Sequence, residues 1–548
     1  MNNDIKDLIK HGEKLFSQKQ PLNSLHQVIA ENFYPERASF TRTIYLGEEF
    51  GTNLTSSYPV MCRRDLGNVF SSMLRPSNKD WFSMTADGVE RDHESKVWLE
   101  WATKVQKRIM YEKRGQFVRA AKEGDHDFAS FGQTVITVEM HPDSFREKNP
   151  NPGLLYRCWH LKDVAWSVGA DGAVQCVFRK WKTTGHELKQ LYGEAKLHPR
   201  MLEKMKQDPF CEVECRHMVV PADMYQPGGK AYMTPLVTIA VDLDNEHVMQ
   251  ELPTKISPYV IPRWATLSDS QYAYSPAINC ALPDARLLQA MTLTLLEAGE
   301  KAVNPPLIAV QDAIRGDIGM YAGAITIVDA GYDERSGQAL RALQQDKTGF
   351  PVGMELIQDT RIMLRTACFL DKLDLPNTAG DMTAYEVSQR VQEFIRNALP
   401  LFEPAEVEFN GGICEKTFEL ALMYGAFGPP DKIPRRLAGR DVEFKFSSPL
   451  HEAVDKQKGS VFLEASQILA SAQALDPSAG VLIDAEETLR DVLAGIGVPT
   501  KWTRSPELVA QIKQSQAQQA ANEQALANMA QAAGAIKDLR QGSPAPMA

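Results

Sequence analysis

PDARLLQAMTLTLLEAGEKAV, residues 283–303, is the stretch on which the prediction of the fold depends. Drawn as a helix that starts after a proline, it is apolar on most of its circumference. Such a helix is normally buried on more than one side. Its most apolar part, LLQAMTLTLL at 287–296, has about half of the ~20 residues that a membrane-spanning helix requires. We therefore expect a buried helix of a soluble protein.

A second apolar helix follows after an insert. The insert at 304–352 contains PPLIAV and then GMYAGAITIVDAGYDERSG at 319–337, a strand and turn segment punctuated by Gly, so it is predicted to be compact and non-helical. GMELIQDTRIMLRTACFLDKL at 353–373 then returns to helical spacing of apolar residues. The loop that follows, DLPNTAGDM at 374–382, contains two Asp and no Lys or Arg.

The chain beyond this loop is predicted to be helical. Thr383 and Glu386 have the spacing of a capping box, so Thr383 is the expected N-cap of the next helix. Pro400 and Pro404 are expected to end that helix. Further helical segments are expected as far as about residue 495.

The last predicted helix opens at SPEL, where Ser505 can cap it and Pro506 lies in its first turn. It runs to about Arg540 and is rich in Ala and Gln, with few large apolar residues. A helix of this composition needs solvent on all sides or identical neighbours packed closely. The tail at 542–548 is predicted to be disordered.

The chain before the apolar helices mixes both secondary structures. The first 135 or so residues are predicted to be mainly helical, with amphipathic helices at 59–75 and 94–112. Runs rich in β-branched residues predict an antiparallel sheet at about 134–265, with DLDN at 242–245 as a hairpin turn. The predicted fold class is α+β, mainly α.

Composition excludes some classes of protein. The 548 residues are 43% hydrophobic and 24% charged, which is ordinary for a globular chain. The formal net charge of −10 argues against an avid, general nucleic-acid binder. The N-terminus lacks the pattern of a secretory signal. The eight Cys are scattered, which is typical of reduced thiols in a cytosolic protein.

Catalytic motifs are absent from the sequence. It has no G-x-x-x-x-G-K-[ST] phosphate loop, G-x-S-x-G elbow or H-E-x-x-H helix. ITIVD at 325–329 resembles the Mg²⁺-holding strand of a nucleotide motor, but it is a weak signal without a phosphate loop. We predict no catalytic residue and no cofactor.

For the candidate metal and phosphate ligands, the sequence favours structural roles. Cys211, Cys215 and His217 share a face of a predicted strand, and CWH at 158–160 could add ligands only by tertiary coincidence. Asp242, Asp244 and Glu246 lack the spacing of a calcium loop. The basic patches RKWK at 179–182 and KIPRRLAGR at 432–440 read as solvated faces, with phosphate contact at Arg435, Arg436 and Arg440 as the alternative.

The order of the segments resembles the head-to-tail connecting, or portal, proteins of short-tailed bacteriophages. The resemblance covers nearly the whole chain. Its best local points are SSMLRPSNKDWFSM (71–84), ASFGQTVITVE (129–139), VIPRWATLSDSQYAYSPAINCALPDARLL (260–288) and MTAYEVSQRVQEF (382–394). The family pattern usually reads Tyr-Gly-Arg-Ser-Pro where this chain has Tyr272-Ala273-Tyr274-Ser275-Pro276, so any role of that Arg is lost or moved.

The resemblance implies a ring of twelve copies at one vertex of the capsid, assembled in the host cytoplasm. Each implied subunit has an α/β wing, a two-helix stem, a small α/β clip, a helical crown and a C-terminal helical barrel. The implied divisions are a wing at 1–280, stem helices at 281–303 and 353–373, a clip at 304–352, a channel loop at 374–383, a crown at 384–500 and a barrel helix at 501–541.

The resemblance also implies a role for the loop at 374–382. In such proteins the loop after the second stem helix projects into the channel through which DNA passes. The residues concerned are Asp374, Leu375, Pro376, Asn377, Thr378, Ala379, Gly380, Asp381 and Met382. Several Lys–phosphate contacts would pin a duplex, so a loop without them suits DNA that slides. An ordinary surface turn is the alternative.

The implied partners are double-stranded DNA in transit, a packaging ATPase (terminase), scaffolding and major capsid proteins, and tail adaptor proteins, with no membrane. Two other functions stay open from the sequence. One is a different virion ring, such as a tail adaptor. The other is an enzyme of the phage particle or host, with a site built from residues that are treated above as structural.

Overall fold

The computed structural model describes residues 5–76, 79–88, 92–145, 152–229, 232–268, 270–309, 314, 329, 340–342, 349–373, 396, 400–437, 439–447, 465–469, 471, 485–495, 498 and 500–541. The chain forms two compact units. One comprises Met1–Lys79 with Arg108–Tyr424, and the other comprises Asp80–Lys107 with Gly425–Ala548. The divisions implied by the resemblance remain predictions.

The helices of the first unit before residue 275 are α1 (Ile5–Gln18), α2 (Gln20–Phe33), α3 (Tyr58–Leu74), α5 (Phe117–Phe131), α6 (Gly185–Tyr192) and α7 (Pro199–Gln207). Most of α4 (His93–Met110) belongs to the second unit. In α5 every residue from Gly124 to Phe131 is buried, so this helix lies in the interior of its unit. The predicted helices at 59–75 and 94–112 are confirmed as α3 and α4.

The strands of the first unit form two main antiparallel sheets. Their members are β2 (Val135–Met140), β3 (Leu154–Trp159), β4 (Val164–Val168), β5 (Val174–Thr184), β6 (Glu212–Pro221), β7 (Leu236–Asp242), β8 (His247–Thr254) and β9 (Tyr259–Val260). The order is β3-β2-β9 in one sheet and β4-β5-β6-β7-β8 in the other. A further pair joins β10 (Ala265–Thr266) to β11 (Ala273–Tyr274). The single sheet expected at 134–265 is therefore divided.

The five-stranded sheet has a core on each face. Phe178, Met218 and Ile239 pack with Leu8 and other apolar residues of α1 on one face. The side chains that point the other way, such as those of Cys215 and Ala240, pack with residues of α6 and α7. Successive side chains of a strand point to opposite faces, so a sheet covered on both faces buries neighbouring residues, as β7 does from Val237 to Asp242. The predicted DLDN turn connects β7 to β8.

Two long helices follow these sheets. They are α8 (Pro276–Val303) and α9 (Gly349–Ala367), and a short helix, α10 (Leu370–Leu373), comes after a break at Phe369, whose φ is +58°. Between α8 and α9, the described residues include β12 (Leu307–Ala309) paired with β13 (Leu340–Ala342). The strand and turn segment predicted at 319–337 lies outside the described residues, apart from Asp329.

The prediction that α8 starts after Pro283 was wrong. Ser275 caps the helix and Pro276 occupies its first turn, so Pro283 lies inside it. A proline ring removes one backbone hydrogen bond and disturbs the carbonyl four residues earlier. That carbonyl belongs to Asn279, an exposed residue, so water can satisfy it.

The prediction that Pro404 ends a helix was also wrong. Residues 400–404 are helical and continue into a π-helix, Ala405–Gly411, and then α11 (Gly412–Met423). The proline ring fixes φ near about −65°, which is compatible with a helix, and Pro404 has a φ of −62° where the two segments join.

The second unit contains a strand pair that the sequence did not predict. β1 (Phe82–Ala86) pairs in antiparallel register with β14 (Val442–Phe446). The region of β14 was expected to contain helical segments, and the first 135 or so residues, which include β1, were expected to be mainly helical. Each strand alone is five residues, and its partner is more than 350 residues away in sequence, so local patterns carry little of the signal.

Helices complete the second unit. They include α12 (Ala485–Gly495) and α13 (Pro506–Gln541), and Glu486 of α12 pairs with Lys513 of α13 at 2.6 Å. The Ser505 side chain accepts a hydrogen bond from Leu508 N at 3.3 Å, which confirms it as the cap. No described side chain of α13 is buried. The predicted tail at 542–548 lies outside the described residues.

Candidate functional site

The helices α8 and α9 lie side by side and approach each other closely at a glycine. A Cβ added at Gly353 would come within 3.0 Å of Leu295 Cδ2. The start of α8 is fixed by Ser275, whose Oγ accepts from Ile278 N at 3.2 Å and donates to Ala129 O at 2.7 Å. The pair therefore has one end anchored in the interior of the first unit.

Within the described residues, much of the surface of the pair is not covered by its own unit. All buried residues of α8 lie between Ala277 and Leu288, and those of α9 are Ile357, Thr360 and Leu364. Nine large apolar side chains of the two helices are 47% to 88% exposed: Leu287, Leu293, Leu296, Val303, Val352, Met354, Leu356, Ile362 and Met363. In the helix predicted to be buried at 283–303, only Ala285 and Leu288 are buried within the chain.

A groove of about 380 Å³ lies between the two helices. Its lining includes the small residues Ala290, Ala298, Gly349 and Gly353, together with Leu295. Small side chains between larger apolar ones leave an open hollow. The only group with a side-chain hydroxyl in the lining is Thr294.

The loop of residues 41–54 lies beside this helix pair, and the sequence analysis predicted no role for it. Tyr45, Leu46 and Phe50 are 75%, 108% and 51% exposed on it. The chain just beyond the loop is bound to α8, because Gln289 Oε1 accepts from Thr55 N and Ser56 N, both at 2.8 Å. The signal available in the sequence was the set of five large apolar residues in TRTIYLGEEFGTNL, which are Ile44, Tyr45, Leu46, Phe50 and Leu54.

The residues weighed as metal ligands have other contacts. Cys215 packs in the apolar cluster around α6 and α7, and Cys211 lies at its edge. His217 Nδ1 is 2.6 Å from Tyr259 Oη. Cys158 contacts Asp127, and His160 Nε2 lies 3.1 Å from Ser39 Oγ. Within the described residues, no three His, Cys, Asp or Glu side chains are grouped to hold a metal ion.

The carboxylates of the hairpin turn are divided among separate partners. Asp242 accepts from Asp244 N at 3.1 Å and from Asn245 Nδ2 at 2.6 Å, which fixes the turn. Asp244 pairs with Lys204 at 3.4 Å, and Glu246 pairs with Lys6 at 3.0 Å. The three side chains therefore serve the turn and its neighbours.

Several charges are buried in the first unit. Arg37 binds Asp127 with two parallel hydrogen bonds, Nε to Oδ1 at 3.0 Å and Nη2 to Oδ2 at 2.7 Å. Lys19 is 1% exposed and donates to Leu161 O at 2.6 Å and Val164 O at 2.7 Å. Burial lowers the pKa of Lys19 to about 7, and the nearby charge of Asp163 opposes that change only in part. These groups hold elements together away from any open cleft.

The family of the chain is decided by a match over most of its length. The family model described as "Bacteriophage head to tail connecting protein" matches residues 6–503. This chain belongs to that family. Its function is that of a portal, the head-to-tail connector of a phage particle.

Curated relatives carry the same name. The chain is 24% identical to the "Probable portal protein" of Bordetella phage BPP-1 over 424 residues, which are 74% of this chain and 72% of that protein. It is 21% identical to the "Portal protein" of Salmonella phage epsilon15 over 551 residues, which are 97% and 95% of the two chains. Among solved structures, a chain from the "Neck of empty GTA particle" matches with 10% identity and a TM-score of 0.32, covering 81% of this chain and 90% of that one.

The portal residues expected to meet DNA are only partly within the described structure. The expected channel loop, Asp374–Met382, lies outside it. Arg435 and Arg436 are exposed in a short 3₁₀ turn, and Arg436 pairs with Asp92 at 3.6 Å. Arg440 donates from Nη1 to the carbonyl of Asp87, so this side chain has a structural contact.

The name of the family describes a structural role, the connection of head to tail. Within the described helices, none combines the length and apolar character needed to cross a bilayer.

Proposed function

We propose that this portal chain is a non-catalytic ring subunit at one capsid vertex, with the exposed apolar surface of α8 and α9 buried between neighbours. Twelve copies is the number that the family resemblance implies. Double-stranded DNA would pass through the ring, a packaging ATPase (terminase) would dock on it, and tail adaptor proteins would replace that motor. Scaffolding and major capsid proteins would surround it during assembly in the host cytoplasm.

The observation that carries the proposal is the exposed apolar surface of α8 and α9. Full burial of one such side chain is worth about 1.5–3 kcal/mol, so covering the exposed half of nine gives roughly 7–13 kcal/mol per subunit before the costs of association. Patches of this kind on a folded chain mark interaction sites. Closed rings bury such a patch on every subunit, because each copy has a neighbour on both sides.

The first test changes this surface without touching the core. Leu296 and Ile362 are 55% and 61% exposed, so Leu296→Asp with Ile362→Asp should leave the fold intact and prevent association. Met233→Asp is the matched control, because Met233 is fully exposed before β7. Light scattering of the three proteins, each with and without scaffolding protein, measures the outcome. If the double variant assembles as readily as the wild type, this surface is not the interface.

The channel loop is a separate part of the proposal. Its sequence, DLPNTAGDM, gives a sliding duplex no cation to bind. Twelve copies with a net charge of −10 each have a formal charge of −120, which suits a largely acidic channel wall. Deletion of 375–381 should leave ring assembly intact and impair DNA packaging or retention. Normal packaging by the shortened chain would reject the assignment of the loop.

A lesser part of the proposal is that Arg435, Arg436 and Arg440 contact phosphate. Arg435 is exposed, and the ion pair of Arg436 at the surface is worth at most about 1 kcal/mol, so both can reach an anion. Arg440 would have to release the carbonyl of Asp87 first. Phosphate contact is therefore proposed chiefly for the first two.

A further inference from the structure

We propose that the 41–54 loop is one half of the contact between ring neighbours, and that Tyr45, Leu46 and Phe50 of one copy insert into the α8–α9 groove of the next. This inference rests on the proposed ring and names the surfaces that close it. Four observations on the first unit support it.

The first observation is that the loop is held at both of its ends by glutamine side chains. At the start, Gln27 Oε1 accepts from Phe40 N at 2.8 Å and from Thr41 N at 3.2 Å, and Gln27 Nε2 donates to Ala38 O at 3.0 Å. At the other end, Gln289 Nε2 donates to Ser56 O at 2.8 Å, besides the bonds that its Oε1 accepts. Both ends are thus fixed to helices, α2 and α8.

The second observation is that the loop is braced inside. Glu48 Oε1 accepts from Arg42 Nη2 at 2.7 Å, and Glu48 Oε2 accepts from Tyr45 N at 3.1 Å. Glu48 N in turn donates to Tyr45 O at 3.1 Å. A loop ordered before binding loses less conformational entropy on binding, which raises affinity.

The third observation is that the braced loop exposes large apolar side chains. The bonds within and around the loop are polar, whereas Tyr45, Leu46 and Phe50 point outward and are at least half exposed. If the bracing served only the stability of the chain, burial of these side chains would stabilise the chain further. Their exposure on a braced loop is typical of a protein-binding surface, where aromatic anchors dominate the energy.

The fourth observation is the position of the groove relative to the loop. A ring interface is heterologous, so two different patches of one chain must match, and rotation about the ring axis leaves the height of each patch unchanged. The residue that holds the loop, Gln289, directly precedes the groove residues Ala290 and Met291 on α8. The chain at the end of the loop and the apolar groove therefore meet the same stretch of α8. With about 380 Å³ of open space, the groove has room for more than one large side chain.

The first experiment changes each surface in turn. Leu46→Asp should raise the concentration for half-assembly at least tenfold, whereas the control Met233→Asp should leave it unchanged. Gly349→Leu should act like Leu46→Asp by filling the groove, since nothing lies within 4 Å of a Cβ at that position. Gly349→Ala, which leaves most of the groove open, is its matched control. Wild-type assembly by both Leu46→Asp and Gly349→Leu would overturn the inference.

The second experiment identifies the occupant. One population carries Leu46→Cys and another carries Thr294→Cys, both with the exposed Cys280 changed to Ser, and a bismaleimide is added after mixing and assembly. A cross-linked dimer only in the mixture is the expected result. Rings without that cross-link would overturn the loop–groove contact and leave the ring standing. Failure of the wild-type chain to associate, even with scaffolding protein, would instead reject the proposed function.

Discussion

At the scale of single residues, Lys19 is the most unusual group of the first unit. Its ammonium is removed from water, donates to two backbone carbonyls, and lies over the rings of Trp166 and Tyr272 at 4.8 and 5.0 Å. The cation–π contacts and carbonyls replace part of its hydration. Burial nevertheless lowers the pKa of Lys19 to about 7. The charge of this side chain therefore opposes folding at neutral pH and below.

This shift predicts how stability depends on pH. Between pH 7 and about 10.4, the unfolded chain holds a proton on Lys19 that the folded chain has released, so stability rises with pH across that window. From pH 7 to 9 the gain should approach about 2 kcal/mol, at up to ~1.4 kcal/mol per pH unit. Lys19→Met cannot titrate and should lack this gain. Urea unfolding of both proteins at pH 7, 8 and 9 measures it, and an equal pH dependence would refute the prediction.

At the scale of elements, the start of α8 depends on a glycine in the preceding structure. Gly132 has a φ of +71°, a region that L-residues with side chains rarely adopt. A Cβ there would come within 2.0 Å of the backbone carbon of Tyr274. Gly132 thus lets the end of α5 pack directly against the chain that leads into α8.

A pair of glycine substitutions tests this packing. Gly132→Ala should destabilise the first unit by more than about 3 kcal/mol, because backbone cannot move aside and the φ is strained. Gly299→Ala, within α8 near its C-terminal end and with nothing within 4 Å of the new Cβ, should instead stabilise by about 0.5–1 kcal/mol. Thermal unfolding compares them. Equal effects would show that Gly132 is not required for the close approach.

Elements with local signals were predictable from the sequence, and elements with distant partners were not. The helices α3, α4 and α13 have caps or apolar stripes within their own residues, and their bounds were predicted within about two residues. The pair of β1 and β14 depends on a partner more than 350 residues away. The start of α8 was misplaced because Pro283 was taken as a boundary, whereas an exposed proline is tolerated inside the helix.

The parts of the candidate site also differ in whether the sequence alone could predict them. The apolar character of α8 and α9 was readable, because it needs only the residues of each helix. The 41–54 loop was not, because its importance depends on Gln27 and Gln289, which hold it only in the folded chain. The expected channel loop at 374–382 lies outside the described residues, and its role stays a prediction.

At the scale of the whole molecule, the exposed apolar helices and the net charge act in opposite directions on association. The net charge of −10 makes copies of the chain repel one another, so their association depends on apolar surface such as the half-exposed Leu, Ile and Met of α8 and α9. The C-terminal helix α13 adds to this, since no described side chain of it is buried within one chain. An Ala-rich helix of this length could bury its surface against identical neighbours.

The mass and symmetry of the purified full-length chain test the proposed ring most directly. Light scattering should give roughly 730 kDa for twelve chains of 61.1 kDa, and negative-stain images should show a closed ring with a central hole. Scaffolding protein should be added if the chain alone stays small. A chain that remains monomeric at high concentration and with scaffolding protein would contradict the ring, and the exposed surface of α8 and α9 would then need a different partner.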